Sequence, residues 1–557
     1  MIKIFCVNTN DYLEIPGGTT LAEVAASLAD SLRLSPVCAL VNNKTESLDY
    51  NIYAPKRIEF LDSSSPAGRR VLIRSLCMVL YRAVCSLSPQ RGLRIEHSIS
   101  GGYLCHLIDK EGNIIIPSAE ELDSIRECMA RLIAENHPFV GHELPTEDVA
   151  KIYADQNLDS KVKLLDTLNQ LYTPFYTLDG VADSYYTPLL HSTGFISSFD
   201  IIAHHDGFLL MGPNPENPDV PVSPVTQEKM YEAFRRYLRL NRAIKVSSVG
   251  ELNEVVQARQ VAELIHVAEA MHEKHLASIA ESIADRNRDG GARVVLLAGP
   301  SSSGKTTTTK RLAIQMMTNL KTPRMISLDD YFVDRDKTPL DEHGEYDYES
   351  LYALDLERLN SDLQQLIAGK TINLPTYSFE LGRRVHKERP LSLAPDEVLL
   401  IEGIHGLNPE LTRAIPNDDV FKVYVSALTS LNIDDHNWIS STDNRLLRRI
   451  VRDHKYRSTS ALDTLRRWAS VRRGEEKWIF PFQENADATF NSSLIFELGV
   501  MKDYAEPLLR RVPHSSEHYA EAYRLLKFLS FFEPIPSDQI PTTSLLREFL
   551  GGSSFHY

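Results

Sequence analysis

Residues 296–313 read LLAGPSSSGKTTTTKRLA, an apolar run that tightens into Gly, Pro and three Ser and then continues Lys- and Thr-rich. Gly299, four residues, Gly304, Lys305 and Thr306 fit GxxxxGK(S/T), and the flanks supply the context this motif needs: RVVLLA as a strand before it and TTTTKRLAIQMM as a helix after it. In such a turn successive backbone N–H groups converge on an anion, and the helix N-terminus adds partial positive charge. The loop Gly299, Pro300, Ser301, Ser302, Ser303, Gly304, Lys305, Thr306 and Thr307 is therefore expected to cradle the phosphates of a nucleotide. Lys305 would reach the β- and γ-phosphates, and Thr306 would offer its hydroxyl to Mg²⁺.

Working outward, the next apolar runs end in acids. PRMISL reads as a strand running into Asp329, Asp330, Tyr331 and Phe332, and DEVLLIEG as a buried strand ending at Glu402. Carboxylates at the C-terminal ends of strands lie in the crevice where doubly wound parallel sheets hold ligands. Asp329 suits a base, and Glu402 suits a position behind Mg²⁺ or its water. Between Arg445 and Arg473 there are ten Arg or Lys against two acids, Asp453 and Asp463. Arg445, Arg448, Arg449 and Arg452 share one helical face, opposite Leu447, Ile450 and Val451, and read as a mobile arginine lid over departing charge.

The rest of the chain bounds these readings. At 557 residues it exceeds a single core and is expected to be multidomain α+β and α/β. Its net charge of −15 argues against nucleic-acid binding over the whole surface, and no apolar run is long enough for a bilayer. Six cysteines without CxxC spacing read as reduced thiols, and the N-terminus lacks signal-peptide features, so a cytoplasmic protein is expected. Residues 1–62 read as a small β-grasp unit, 63–222 as an α+β unit entered through the linker-like SSSPAGRR, and 223–290 as a helical connector broken by RDGGAR. A P-loop unit follows over 291–500, then a C-terminal helical extension over 501–557. His191, His204, His205 and Asp206 read as structural, not metal-binding, and His266, His272 and His275 of the connector as solvent-facing.

Residues 291 to about 500 resemble the uridine kinase and phosphoribulokinase family: GPSSSGKTT, LDDYF, YDYESLYALD, LPTYSF, LLIEGIHGL and RRIVRD come in that family's order. The resemblance implies a P-loop kinase using ATP and Mg²⁺ on an alcohol acceptor, a nucleoside 5′-hydroxyl. It gives Asp329 the role of proton acceptor, Arg452 and Arg457 that of lid arginines, and Asp347 and Tyr377, with Tyr331 and Phe332, that of substrate contacts. The family's base-reading His is replaced, since Gly382 stands near its place and His386 comes later.

The front half resembles a TGS domain over 1–61 and the second additional, editing-type domain of threonyl-tRNA synthetases over 70–220. The editing constellation is absent: Ser75 and Val79 stand near the helix His positions, and VADSYYTPLLHSTG carries no Cys. Three functions stay open at this point: a nucleoside kinase, a sugar-phosphate kinase with Arg383 and Arg384 on the acceptor's phosphate, and a tRNA-binding regulator with a P-loop switch. Oligomer formation also stays open.

Overall fold

The computed structural model describes residues 1–288, 291–342, 344–378 and 380–556. The expected RDGGAR break falls partly on 289 and 290, outside the described residues. Five parallel strands form the central sheet in the order Thr322–Ser327, Glu397–Glu402, Val294–Ala298, Val420–Ser426 and Ala488–Asn491. The middle strand is apolar at every position because both its faces are covered. Val295 and Leu297 pack with Leu312 and Met316 of the P-loop helix Lys305–Thr318, whereas Val294 and Leu296 pack with Leu359 and Leu363 of the helix Leu356–Ile367. Alternation along one strand thus feeds two cores, as a doubly wound sheet requires.

The core on the P-loop-helix side runs through the boundaries placed at 290 and 500. It takes in Ile265, Leu276, Ile279 and Ile283 of the helix Val261–Arg288 at one end and Leu525, Phe528 and Phe549 at the other. The connector is therefore part of the P-loop unit's own packing. His272, expected in solvent, is 1% exposed: its Nε2 meets the Ser493 carbonyl at 3.1 Å and its ring stands edge-on to Phe490. Helical spacing alone misled there, because this helix is covered on more than one side.

The front half holds a mixed five-stranded sheet over Ile2–Leu61 with the helix Leu21–Ser27 across it. An α+β unit follows, built on the long helix Pro66–Leu87. SSSPAGRR is not a linker: Ser65 caps that helix by accepting from the Gly68 amide at 3.1 Å, and Pro66 occupies its first turn. The two halves interlock through a hairpin, Asn432–Asp434 and Asn437–Trp438, which leaves the P-loop unit and enters the front half's core. His436 Nδ1 lies 2.8 Å from Asp183, Lys161 Nζ lies 2.8 Å from Asp183 and 2.9 Å from Asp434, and the Arg74 guanidinium sits 3.5 Å above the Trp438 ring. Ser75 accepts from the Leu190 amide at 2.8 Å, in the same core. Among the described residues no group of three His, Cys, Asp or Glu is arranged for a metal, and no helix is long and apolar enough to cross a membrane.

Candidate active site

The P-loop takes its shape from close backbone approach. A Cβ on Gly299 would fall 1.9 Å from the Val425 carbonyl oxygen, so only glycine fits there. Ser302 (φ 59°) and Gly304 (φ 82°) both adopt left-handed backbone, which turns the chain into the helix at Lys305. The hydroxyls of Ser302 and Ser303 are buried without a hydrogen-bond partner, an unmet polar demand that a phosphate chain would satisfy. Lys305 Nζ donates to the Pro300 carbonyl at 3.1 Å, folded back over the loop it would share with a phosphate. Burial lowers the lysine's pKa, while Glu402, Asp329 and Glu548 oppose the shift.

The two strand-end acids converge on this lysine. Thr306 Oγ1 donates towards both Glu402 oxygens, at 3.2 and 3.1 Å. Burial pushes the Glu402 carboxyl up to about 7, the charge of Asp329 adds to the shift, and Lys305 resists it. Asp329 is exposed just past the end of its strand, yet the protein packed around it raises its carboxyl too, with Lys305 and Arg457 opposing. A hydroxyl and a carboxylate beside a second carboxylate form an all-oxygen set that suits Mg²⁺ in type, and phosphate oxygens and water would have to complete the shell.

The arginine stripe is not a mobile lid over its whole length. On the helix Ser441–Arg457, Arg445 and Arg448 are among the largest fully buried side chains. Arg445 forms a two-pronged pair with Glu475, both contacts at 2.6 Å, and Arg448 pairs with Glu497. Glu475 also accepts from the Ser301 amide at 3.1 Å, and Arg449 donates to Ser301 Oγ at 2.7 Å. This half of the helix braces the back of the P-loop, and a buried guanidinium held by its own carboxylate has no freedom to close over a ligand. Arg452 and Arg457 differ: both contact Asp453, at 2.9 and 3.5 Å, and the charges of both reach Asp329.

The expected substrate contacts divide. Tyr331 is fully buried and its hydroxyl donates to Asp362 at 3.1 Å, so it belongs to the core beneath the site, and the expectation that it touches substrate is corrected. Phe332 and Tyr377 pack ring against ring, centroids 5.6 Å apart. Asp347 accepts from the Glu349 amide at 3.2 Å in a local turn, and its charge acts on the Glu349 carboxyl, which burial pushes up to about 7. Arg384 is committed elsewhere, to Asp355 at 2.9 Å and to the Phe332 and Tyr331 carbonyls at 3.1 and 3.2 Å. Glu475 and Glu548 were missed in the sequence. No motif marks either one, and the only cue to Glu475 was its place on a helix rich in arginine.

Residues 294–494 match the sequence profile described as the Phosphoribulokinase / Uridine kinase family. Among curated relatives, a uridine kinase of Staphylococcus aureus (strain JH9) is 29% identical over 197 residues, covering 35% of this chain and 84% of the relative, and the same figures hold for strain Newman. A solved structure described as a possible uridine kinase from Bacillus stearothermophilus aligns with 36% of this chain and 89% of its own, at 22% identity and a TM-score of 0.25. Over residues 294–494 this chain is thus similar to the phosphoribulokinase and uridine kinase family, and that stretch carries the phosphate-binding loop and the parallel sheet described above.

Proposed function

We infer that the protein transfers the γ-phosphoryl group of ATP to the 5′-hydroxyl of a nucleoside, giving the nucleoside monophosphate and ADP. The observation that carries this reading is that Asp329 and Glu402, at or just past the C-terminal ends of adjacent parallel strands, lie beside the P-loop's Lys305 and Thr306, with Glu402 accepting from Thr306 Oγ1 at 3.1 Å and the Arg457 charge acting on Asp329. Asp329, accessible and with a raised pKa, takes the acceptor's proton as the oxygen attacks the γ-phosphorus and the bond to the bridging oxygen of ADP breaks. Lys305 and the loop amides hold the phosphates, while Arg452 and Arg457 balance charge spreading over the transferred group. Mg²⁺, held by Thr306 and Glu402, would neutralise phosphate charge when bound. Asp347, Phe332 and Tyr377 form the side on which we place the nucleoside.

A sugar-phosphate acceptor is less well supported, because Arg384, one of the two arginines that would take its phosphate, is already held by Asp355 and two carbonyls. For the front half we keep the TGS-like and editing-like reading and give it a scaffolding role without editing chemistry. The hairpin with His436 and Trp438 packed beside Ser75 and Asp183 supports that role, and a tRNA contact on this half is the alternative. Turnover of labelled ATP against a panel of nucleosides, ribulose 5-phosphate and water tests the assignment. Transfer to a nucleoside is expected, and transfer only to the sugar phosphate would replace our reading.

A further inference from the structure

The first turn of the P-loop helix already holds an anion. Glu548, in the short helix Arg547–Leu550, accepts from the Thr307 amide at 3.1 Å and from the Thr307 hydroxyl at 2.6 Å. Its partner is 241 positions away in the chain, so this is no local cap, and Gly304 at the helix's own cap position has no side chain to offer. Beside it, Leu545 is pressed onto the loop: a Cβ on Gly304 would fall 2.6 Å from Leu545 Cδ2. The carboxylate is also near enough to Lys305 and Glu402 for its charge to act on both.

The segment carrying Glu548 is anchored at several points. Lys455 donates to the Leu550 carbonyl at 2.5 Å and Lys310 to the His556 carbonyl, while Arg547 holds the Ser537 and Ile540 carbonyls at 2.8 and 2.7 Å. Leu545, Phe549 and Leu550 are buried in the same core as the P-loop helix, and the Arg448 guanidinium lies 5.0 Å above the Phe549 ring. Helix N-termini attract anions through free amides and partial positive charge, and these are the features a nucleotide phosphate would use. One amide cannot serve two anions, and a carboxylate beside a phosphate repels it.

We propose that Glu548 stands in for a nucleotide phosphate, so that the ligand-free chain keeps its phosphate cradle covered by its own C-terminal segment and nucleotide must displace Glu548 from Thr307. The proposal rests on the P-loop reading given above. It is tested by titrating ATP calorimetrically into wild-type protein, Glu548→Ala and Glu548→Gln, and by following hydrogen exchange over residues 540–556 of the wild type with and without ATP. Loss of one competing charge at a helix N-terminus is expected to tighten ATP binding about tenfold in both variants, and ATP is expected to speed exchange in the wild-type segment. Equal affinities with unchanged exchange, or weaker binding in the variants, would remove the gate and leave the P-loop reading standing. Failure of all three proteins to bind ATP would remove both. If Glu548→Ala does not fold, Glu548→Gln and the wild-type exchange measurement decide.

Discussion

Asp329 and Glu349 both feel the charge of Lys305 but are held in different settings. Asp329 is exposed, where an acceptor hydroxyl could approach it, and it also feels Arg457. Replacing it with Asn keeps the volume and removes the proton acceptor, so kcat should fall about 10²- to 10⁴-fold while ATP affinity stays within a few-fold. Steady-state kinetics with separate ATP titrations check this, and an unchanged kcat with a raised acceptor KM would reduce Asp329 to a binding group. Glu349 is pushed from 4.5 up to about 7, by burial first, then by Glu475 and Asp347, against Arg449 and Lys305. A carboxyl raised by folding stabilises the fold below its unfolded value, and this contribution is lost as pH rises through the folded value. The ligand-free melting temperature should therefore fall between about pH 4.5 and 7, and Glu349→Gln should flatten part of that slope; an identical slope in the variant would show that other groups cause it.

The helix Ser441–Arg457 carries two jobs along its length. At its start Arg445 and Arg448 are pinned under the P-loop by Glu475 and Glu497, and near its end Arg452 and Arg457 lie around Asp453 and within reach of Asp329. Arg445→Ala would take away the two-pronged partner of the buried Glu475 and leave it Arg472, at 3.1 Å, so it should cost up to about 3–5 kcal/mol. Arg457, with its side chain 58% exposed, should cost little stability when changed to Ala and yet lower phosphoryl transfer strongly. Chemical denaturation and single-turnover rates on the two variants separate these effects, and equal loss of stability in both would end the distinction. The sequence showed the stripe and its helical face but not this division, because Glu475 and Glu497 come from other elements and spacing along one helix cannot see them. The P-loop was legible for the opposite reason: its strand, turn and helix are contiguous, and each needs particular residue types. Tyr331 misled because it adjoins Asp329 in the chain while its side chain turns into the core.

At the scale of the whole molecule, helices before 290 and after 500 complete the P-loop unit's core through Ile279, Ile283, Leu525 and Phe549. A fragment of residues 291–557 lacks Ile279 and Ile283 and should therefore be insoluble or molten, as judged by near-UV circular dichroism; a native near-UV spectrum would show that it folds alone. Trp438→Ala should destabilise the full chain by about 3–5 kcal/mol, since this one ring belongs to the front half's core; a cost below about 1 kcal/mol would mean that the two halves merely touch. Composition and strand patterns revealed the order of the units, but contacts between residues more than 250 positions apart, such as Asp183 with His436, leave no periodic trace in a sequence. The hairpin also sets an order of assembly on the ribosome. The α+β unit is synthesised by about residue 222, yet the tryptophan that fills its core is made only at position 438, so the nascent chain must carry an open apolar cleft through the making of some 200 further residues. Slowing translation between the two points is therefore expected to lower the recovery of folded chain, which the soluble fraction obtained with rare codons placed over 223–437 would check.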